Sequence, residues 1–211
     1  MEVAVQAGRV SLEGSLTLPA GVRGLVIFAH GSGSSRFSSR NRAVAQWLND
    51  AGLGTLLFDL LTAEEHSIDE YSREYRFDIS RLSQRLADTV GWADQHGETR
   101  GLPIGLFGAS TGAAAALVAA AVRPELVAAV VSRGGRPDLA GEHLPRVEAP
   151  TLLIVGGNDF GVIELNENAA AMLRCEHRID IVPGATHLFE EPGTIEEVCR
   201  LAADWFQTYL K

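Results

Sequence analysis

The sequence is poor in cysteine and holds only Cys175 and Cys199 among its 211 residues. A chain of this length can bury a stable core without a disulfide. We therefore expect both thiols to be reduced, which favours a cytoplasmic protein over a secreted one. The N-terminus also lacks the basic and apolar stretches of a secretory signal, which agrees with this expectation.

Basic residues are in the minority, and long apolar runs are missing. Acidic residues outnumber basic ones by 27 to 18, which gives a formal net charge of -9. Phosphate backbones and anionic lipid would repel such a chain, so we expect neither a nucleic-acid nor a membrane partner. The most apolar stretch, Gly112 to Val122, is about half the length of a membrane span.

Metal-binding patterns and linkers are missing too. No His-x-His, Cys-x-x-Cys or HExxH spacing occurs, so we expect no metal, and the chemistry inferred below needs no cofactor. The chain shows no repeat and no linker rich in proline or serine, and 46% of its residues are hydrophobic. We interpret residues 1–211 as a single domain.

The apolar pattern predicts an α/β fold. Alternating residues on both sides of Gly8-Arg9 indicate an N-terminal antiparallel hairpin. Short apolar runs then alternate with amphipathic segments of helical period, which is typical of a mostly parallel sheet of about eight strands flanked by helices. The predicted strands cover residues 25–29, 55–58, 103–107, 126–131, 151–155 and 178–182, and the predicted helices cover 40–51, 79–93, 110–123, 162–173 and a final helix that begins with a capping box at Thr194–Glu197.

The segment from Leu60 to Phe77 departs from this alternation and is rich in acidic residues. It is long for a loop, so it has room for a turn of helix. One interpretation is a solvated acidic surface, and the other is a rim over the active site.

A Gly-x-Ser-x-Gly motif follows the strand predicted at 103–107 and precedes a helix. In this motif Gly108 and Gly112 flank Ser110, which would lie on a sharp strand-to-helix turn. Glycine is needed there because a Cβ atom would collide across the turn. The helix N-terminus favours developing negative charge, so we predict that Ser110 is a nucleophile. The alternative is a packing turn with an inert serine.

A serine nucleophile needs a histidine base held by a carboxylate. His187 follows the last predicted strand and Asp159 follows the strand at 151–155, both at the sheet edge where active sites of α/β proteins lie. The order Ser110, Asp159, His187 is that of an α/β-hydrolase. His143 and His177 are weaker candidates for the base, because neither lies at this edge with an evident anchor. Glu164 is the alternative acid, whereas Glu190 and Glu191 are too close to His187 in sequence to orient its ring easily.

The oxyanion formed by attack of Ser110 needs two N–H donors. We assign them to the backbone of Thr111, directly after the nucleophile, and of Ser32, in the glycine-rich loop after the first parallel strand. His30 more naturally braces this loop than reacts. The loop lacks the spacing of a nucleotide-binding fingerprint.

With these motifs the chain resembles the α/β-hydrolase superfamily, and within it the dienelactone-hydrolase-like branch. The resemblance runs through the segments HGSGSS, FGASTG, GGND and PGATHLF, and it implies the same three residues as nucleophile, acid and base. Dienelactone hydrolases carry cysteine as nucleophile where this chain has Ser110. We therefore expect a serine carboxylesterase, with lactone or thioester hydrolysis as an alternative and a catalytically idle ligand-binding relative as a second one.

Superfamily members often insert a helical lid after the sixth strand. Here that connection runs from Arg133 to Ala149, which is too short for a lid domain, so we expect an open site for a small, soluble ester. Arg133 itself follows a buried strand at the edge that carries Ser110. It could bind a carboxylate or phosphate of the substrate, or it could pair with an acid such as Asp138 or one of segment 60–77.

Overall fold

The computed structural model describes all residues from 1 to 211 and begins with the predicted hairpin. Strand β1 (Glu2–Ala7) pairs antiparallel with β2 (Val10–Thr17). The turn between them contains Gly8 with a φ of 61°, a conformation that glycine adopts without strain. The alternation places Val5, Leu12 and Leu16 in the core, so the hairpin covers one end of the sheet.

The remaining strands form one sheet with this hairpin. They are β3 (Leu25–Ala29), β4 (Gly54–Phe58), β5 (Ile104–Ala109), β6 (Val127–Arg133), β7 (Thr151–Gly156) and β8 (His177–Val182). The strand order is β1-β2-β4-β3-β5-β6-β7-β8, and β3 to β8 are parallel to one another. The predicted α/β-hydrolase fold, with a mostly parallel sheet of eight strands, is confirmed.

Helices cover both faces of the sheet. They are α1 (Ser39–Asp50), α2 (Ala63–Ser72), α3 (Ile79–Gln95), α4 (Thr111–Val122), α5 (Phe160–Ala170) and α6 (Thr194–Tyr209). One core cluster contains most of the buried apolar residues of α3, α4 and α5, and the other contains those of α1 and α6. No helix is both long and apolar enough to cross a membrane.

The predicted capping box of α6 is wrong. The N-cap of this helix is Gly193, with a φ of 81°, and it has no side-chain cap. The Thr194 hydroxyl instead donates to the carbonyl of Glu191 at 2.7 Å. A glycine with positive φ starts the helix one residue earlier than the motif suggests, so Thr194 is already the first helical residue.

The connection between β6 and β7 contains no lid. It holds two short 3-10 turns over Pro137–Arg146, which are separated at Gly141. The carboxyl edge of the sheet is therefore uncovered on this side.

Segment 60–77 is an ordered helical element and not just a solvated acidic surface. Helix α2 begins with a capping box between Thr62 and Glu65. Glu65 also pairs with Arg85 of α3, and its pKa is lowered to about 2, first by the hydrogen bonds from Arg85. Asp69 is buried and pairs with Arg76 at 2.6 Å. The segment is therefore held by the buried carboxylate of Asp69 and the partly buried carboxylate of Glu65.

We predict that Glu65→Gln lowers the free energy of unfolding by about 1.5–3 kcal/mol at pH 7, because it replaces a charge-assisted hydrogen bond by a neutral one. The folded pKa of Glu65 lies below its unfolded value. The stabilisation is therefore complete above the unfolded pKa and is lost as the pH falls towards the folded one. Urea unfolding from pH 7 to pH 3.5 should show the difference from wild type shrinking with acidification.

The matched control is Glu64→Gln, since Glu64 is the exposed neighbour in the same helical turn. Its stability should follow that of wild type at every pH. A difference for Glu65→Gln that does not change with pH would contradict the assignment of the effect to ionised Glu65.

Candidate active site

Ser110 lies on the turn between β5 and α4 and has a positive φ of 52° with a ψ of -122°. The two flanking glycines explain how this turn is possible. A Cβ atom on Gly108 would lie 2.4 Å from the Cα of Ala113, and one on Gly112 would lie 2.2 Å from the carbonyl oxygen of Ala29. Real Cβ atoms do not approach so closely, so the tight turn depends on glycine at both positions.

The end of β6 holds this turn in place. The backbone N–H of Ser110 donates to the carbonyl of Arg133 at 3.3 Å, and the N–H of Arg136 donates to the carbonyl of Ser110 at 3.0 Å. The backbone of Ser110 is thus fixed from both sides, which helps to maintain its strained conformation.

Asp159 and His187 come together at the carboxyl edge of the sheet. Asp159 follows β7, His187 follows β8, and the Nδ1 atom of His187 lies 2.7 Å from Oδ2 of Asp159. The Asp159 side chain is 17% exposed and that of His187 is 39% exposed. With Nδ1–H donating to the carboxylate, Nε2 is left as an acceptor.

The loop that carries His187 is fixed by Glu191. Its carboxylate accepts from the backbone N–H of Thr186 at 3.0 Å and from the Thr186 hydroxyl at 2.5 Å. These hydrogen bonds lower the pKa of Glu191. The sequence disfavours Glu191 as the acid, and in the structure its carboxylate binds the loop and not the imidazole.

Ser110 and His187 line one cavity of about 270 Å³. No hydrogen bond joins the two side chains, and such contacts often tighten only when substrate binds. The other candidates lie elsewhere: His143 contacts the carbonyl of Ala140, His177 contacts that of Cys175, and Glu164 is exposed.

The glycine-rich loop after β3 packs against the turn that carries Ser110. A Cβ atom on Gly31 would lie 3.2 Å from the Cβ of Ser110. The hydroxyls of Ser32 and Thr111 are 2.7 Å apart, so the two residues assigned to the oxyanion hole are adjacent. Their backbone N–H groups donate to no acceptor of the chain and are available to a ligand.

His30 braces this loop, as the sequence suggested. Its Nε2 accepts from the backbone N–H of Leu60 at 3.1 Å, and its Nδ1 lies 3.0 Å from the carbonyl of Gly31. This pattern requires a neutral ring with the proton on Nδ1. Burial lowers the pKa of His30 and favours the same neutral form.

Segment 60–77 supports the glycine-rich loop through a hydrogen bond, which is a role the sequence did not reveal. The Ser32 hydroxyl donates to the carbonyl of Arg76 at 3.0 Å. Arg76 is held by Asp69, whose carboxylate accepts from the guanidinium and from two backbone N–H groups. Gly33 leaves room for this guanidinium, since a Cβ there would lie 3.1 Å from Nη1 of Arg76. The only signal in the sequence was the departure of the segment from the strand-helix rhythm.

Arg133 is the last residue of β6 and lines the same cavity as Ser110. Only 6% of it is exposed, and its Nη2 donates to Oδ1 of Asn41 at 3.2 Å. The alternative in which Arg133 pairs with an acid is wrong. Asp138 pairs with Arg136 at 2.7 Å, and no carboxylate of segment 60–77 reaches Arg133.

Known proteins resemble this chain over its full length. The model of the dienelactone hydrolase family matches residues 12–210. A crystal structure of a dienelactone hydrolase from Anabaena variabilis superposes with a TM-score of 0.99 at 56% identity, covering 100% of this chain and 98% of the other. Est1E from Butyrivibrio proteoclasticus shares the fold, with a TM-score of 0.81 at 16% identity over 98% of each chain.

A protein of Mycobacterium tuberculosis, named "Putative phosphoribosyl transferase", is 59% identical over 209 residues. The match covers 99% of this chain and 46% of that protein, so the chain spans about half the length of the curated relative. With the family model matched almost from end to end and the hydrolase fold in place, the chain belongs to the dienelactone hydrolase family.

Proposed function

We propose that the protein is a serine hydrolase that cleaves small, soluble carboxylic esters through Ser110, His187 and Asp159. The observation that carries this proposal is the placement of Ser110, on a strained turn, in one cavity with a histidine that is bound to Asp159. A strained backbone that the surrounding structure holds in place is typical of a nucleophile turn.

In the first half of the reaction, His187 Nε2 takes the proton of the Ser110 hydroxyl while its oxygen attacks the ester carbonyl. Asp159 fixes the ring and stabilises the imidazolium that forms. The backbone N–H groups of Ser32 and Thr111 stabilise the oxyanion. The intermediate then collapses as the alcohol leaves with the proton from His187, and an acyl-enzyme remains on Ser110.

In the second half, His187 activates a water molecule that attacks the acyl-enzyme, and the acid is released. The edge of the sheet has no lid domain over it, so water has access to the acyl group. This openness favours hydrolysis over transfer to another acceptor. It also suits a short acyl chain, because nothing would enclose a long one.

Lactones and thioesters are the alternative substrates, since the Anabaena relative is named a dienelactone hydrolase. A lactone is an internal ester and would react by the same steps. A catalytically idle, ligand-binding relative is the second alternative, but the contact between His187 and Asp159 favours an enzyme. The transferase name of the mycobacterial protein belongs to a chain about twice as long, and we do not propose that activity for these residues.

The nucleophile is tested with Ser110→Ala. We expect hydrolysis of p-nitrophenyl acetate to fall by several orders of magnitude, because the substitution removes the attacking oxygen. A fluorophosphonate probe should label the wild-type protein once, at Ser110. Ser80→Ala, on the exposed face of α3, is the matched control and should behave as wild type. Undiminished turnover of Ser110→Ala, or a label at another residue, would contradict the assignment.

The base and its partner are tested by pH and by Asp159→Asn. Turnover should fall as the pH is lowered, because a protonated His187 ring cannot accept the serine proton. Asp159→Asn should lower kcat by a factor on the order of 10²–10⁴ with little change in KM. Asp204→Asn, an exposed position on α6, serves as the control. A flat kcat profile between pH 5 and pH 8 would argue against a histidine base.

The support of the oxyanion loop is tested with Ser32→Ala. The backbone donor remains, but the contacts of the hydroxyl with Thr111 and with Arg76 are lost. We expect kcat to fall by about tenfold at nearly constant KM, less than for loss of a direct donor. Ser32→Thr keeps the hydroxyl and should recover most of the rate. A change in KM alone would mean that Ser32 contacts the bound substrate and does not position the oxyanion hole.

A further inference from the structure

Two arginines line the cavity that contains Ser110 and His187. Arg133 comes from the end of β6 and Arg40 from the first turn of α1. The notable feature of this pair is how little negative charge accompanies it.

Arg133 is buried, with only 6% of its surface exposed, and yet it has no carboxylate partner. Its Nε also has no hydrogen-bond partner. The pKa of Arg133 is lowered to about 10, first by burial and then by the charge of Arg40. Arg133 nonetheless remains charged at neutral pH. A buried, unpaired cation is costly in a folded protein, so its presence beside a nucleophile indicates a ligand of opposite charge.

Arg40 has only a weak counter-charge. Its guanidinium lies 3.4 Å from the carboxylate of Glu190, which is 66% exposed, and its buried Nε has no partner. An exposed ion pair of this kind is worth little in water. Arg40 is therefore free to turn its charge towards a ligand in the cavity.

Further donors surround the two guanidinium groups. Ser34, Ser38 and Asn41 line the same cavity, and Ser38 is the N-cap of α1. The first turn of this helix contains no acidic residue, so its positive end is not neutralised. No Asp or Glu side chain lines the cavity.

We propose that Arg40, Arg133 and the first turn of α1 bind a phosphate monoester group of the substrate, an inference that rests on the proposed ester hydrolysis. Two cations without a strong counter-charge match a dianion better than a singly charged carboxylate. A phosphate monoester also offers three oxygens, enough for both guanidinium groups and a hydroxyl. The substrate is then a small carboxylic ester with a phosphate on its acyl or its alcohol part.

The first experiment measures binding of inorganic phosphate to Ser110→Ala by calorimetry at pH 8 and constant ionic strength. This background cannot turn over an ester, so the result does not depend on catalysis. Adding Arg40→Gln or Arg133→Gln should weaken phosphate binding by at least about tenfold. Adding Arg42→Gln, an exposed arginine of α1 that lies outside the cavity, should leave it unchanged.

Arg40→Gln keeps this test decisive if Arg133→Gln does not fold, because the Arg40 side chain is 32% exposed. Absence of phosphate binding in the Ser110→Ala background would overturn the proposal. Equal phosphate affinities of the two double variants that combine Ser110→Ala with Arg40→Gln or with Arg42→Gln would overturn it as well.

The second experiment compares turnover of matched acetate esters by the wild-type protein. The substrates are 2-acetoxyethyl phosphate, 2-acetoxyethyl sulfate, 3-acetoxypropionate and 2-methoxyethyl acetate. We expect kcat/KM at pH 8 to be highest for the phosphate, by at least about tenfold over the singly charged sulfate. The advantage should shrink towards pH 5.5, where the phosphate loses its second charge.

The outcomes separate the two proposals. Turnover of the neutral ester without preference for the phosphate would overturn the phosphate site and leave the hydrolase intact. Equal preference for carboxylate and phosphate would overturn the choice of a dianion. Phosphate binding without turnover of any ester would support the site and overturn the hydrolase.

Discussion

The close approach of α4 to the ends of β3 and β5 governs the geometry of this protein. The helix can lie there because Gly108 and Gly112 have no side chain and because most of its inward residues are alanine. The chain has to turn sharply between β5 and α4, and Ser110 takes a positive φ as a result. The same approach brings the loop at Gly31 against Ser110, so one packing contact sets the position of Ser110 relative to the backbone of that loop.

Much of this arrangement could be predicted because the signals are local. Apolar runs and helical periods locate the strands within about two residues. Chain order at a common sheet edge predicts that Asp159 and His187 lie close together, and the structure has them in contact. Gly108 carries a signal of the same local kind, since a Cβ there would meet Ala113 five residues away, whereas the clash at Gly112 is with Ala29 of β3.

The features that escaped prediction depend on contacts between distant segments. The packing of α2 determines which arginines pair with Glu65 and Asp69, whereas the composition shows only that the segment is acidic. Arg40 lies on an amphipathic helix, where a charged residue normally faces solvent, and only the fold turns it towards the residue at the end of β6. The start of α6 was misplaced because Gly193 competes with a threonine as the N-cap.

The net negative charge of the protein has a kinetic consequence for the anionic substrate that we propose. The molecule carries a net charge of -9, so an anion is repelled while it is still far from the protein, and the attraction of the arginines acts only within the cavity. Salt screens the distant repulsion over about 8–10 Å at physiological strength, whereas contacts inside the cavity are screened less. Raising the ionic strength from low values therefore increases the association rate of the substrate and shortens its residence time in the cavity only modestly. Selectivity for the anion arises in the last few ångströms of its approach.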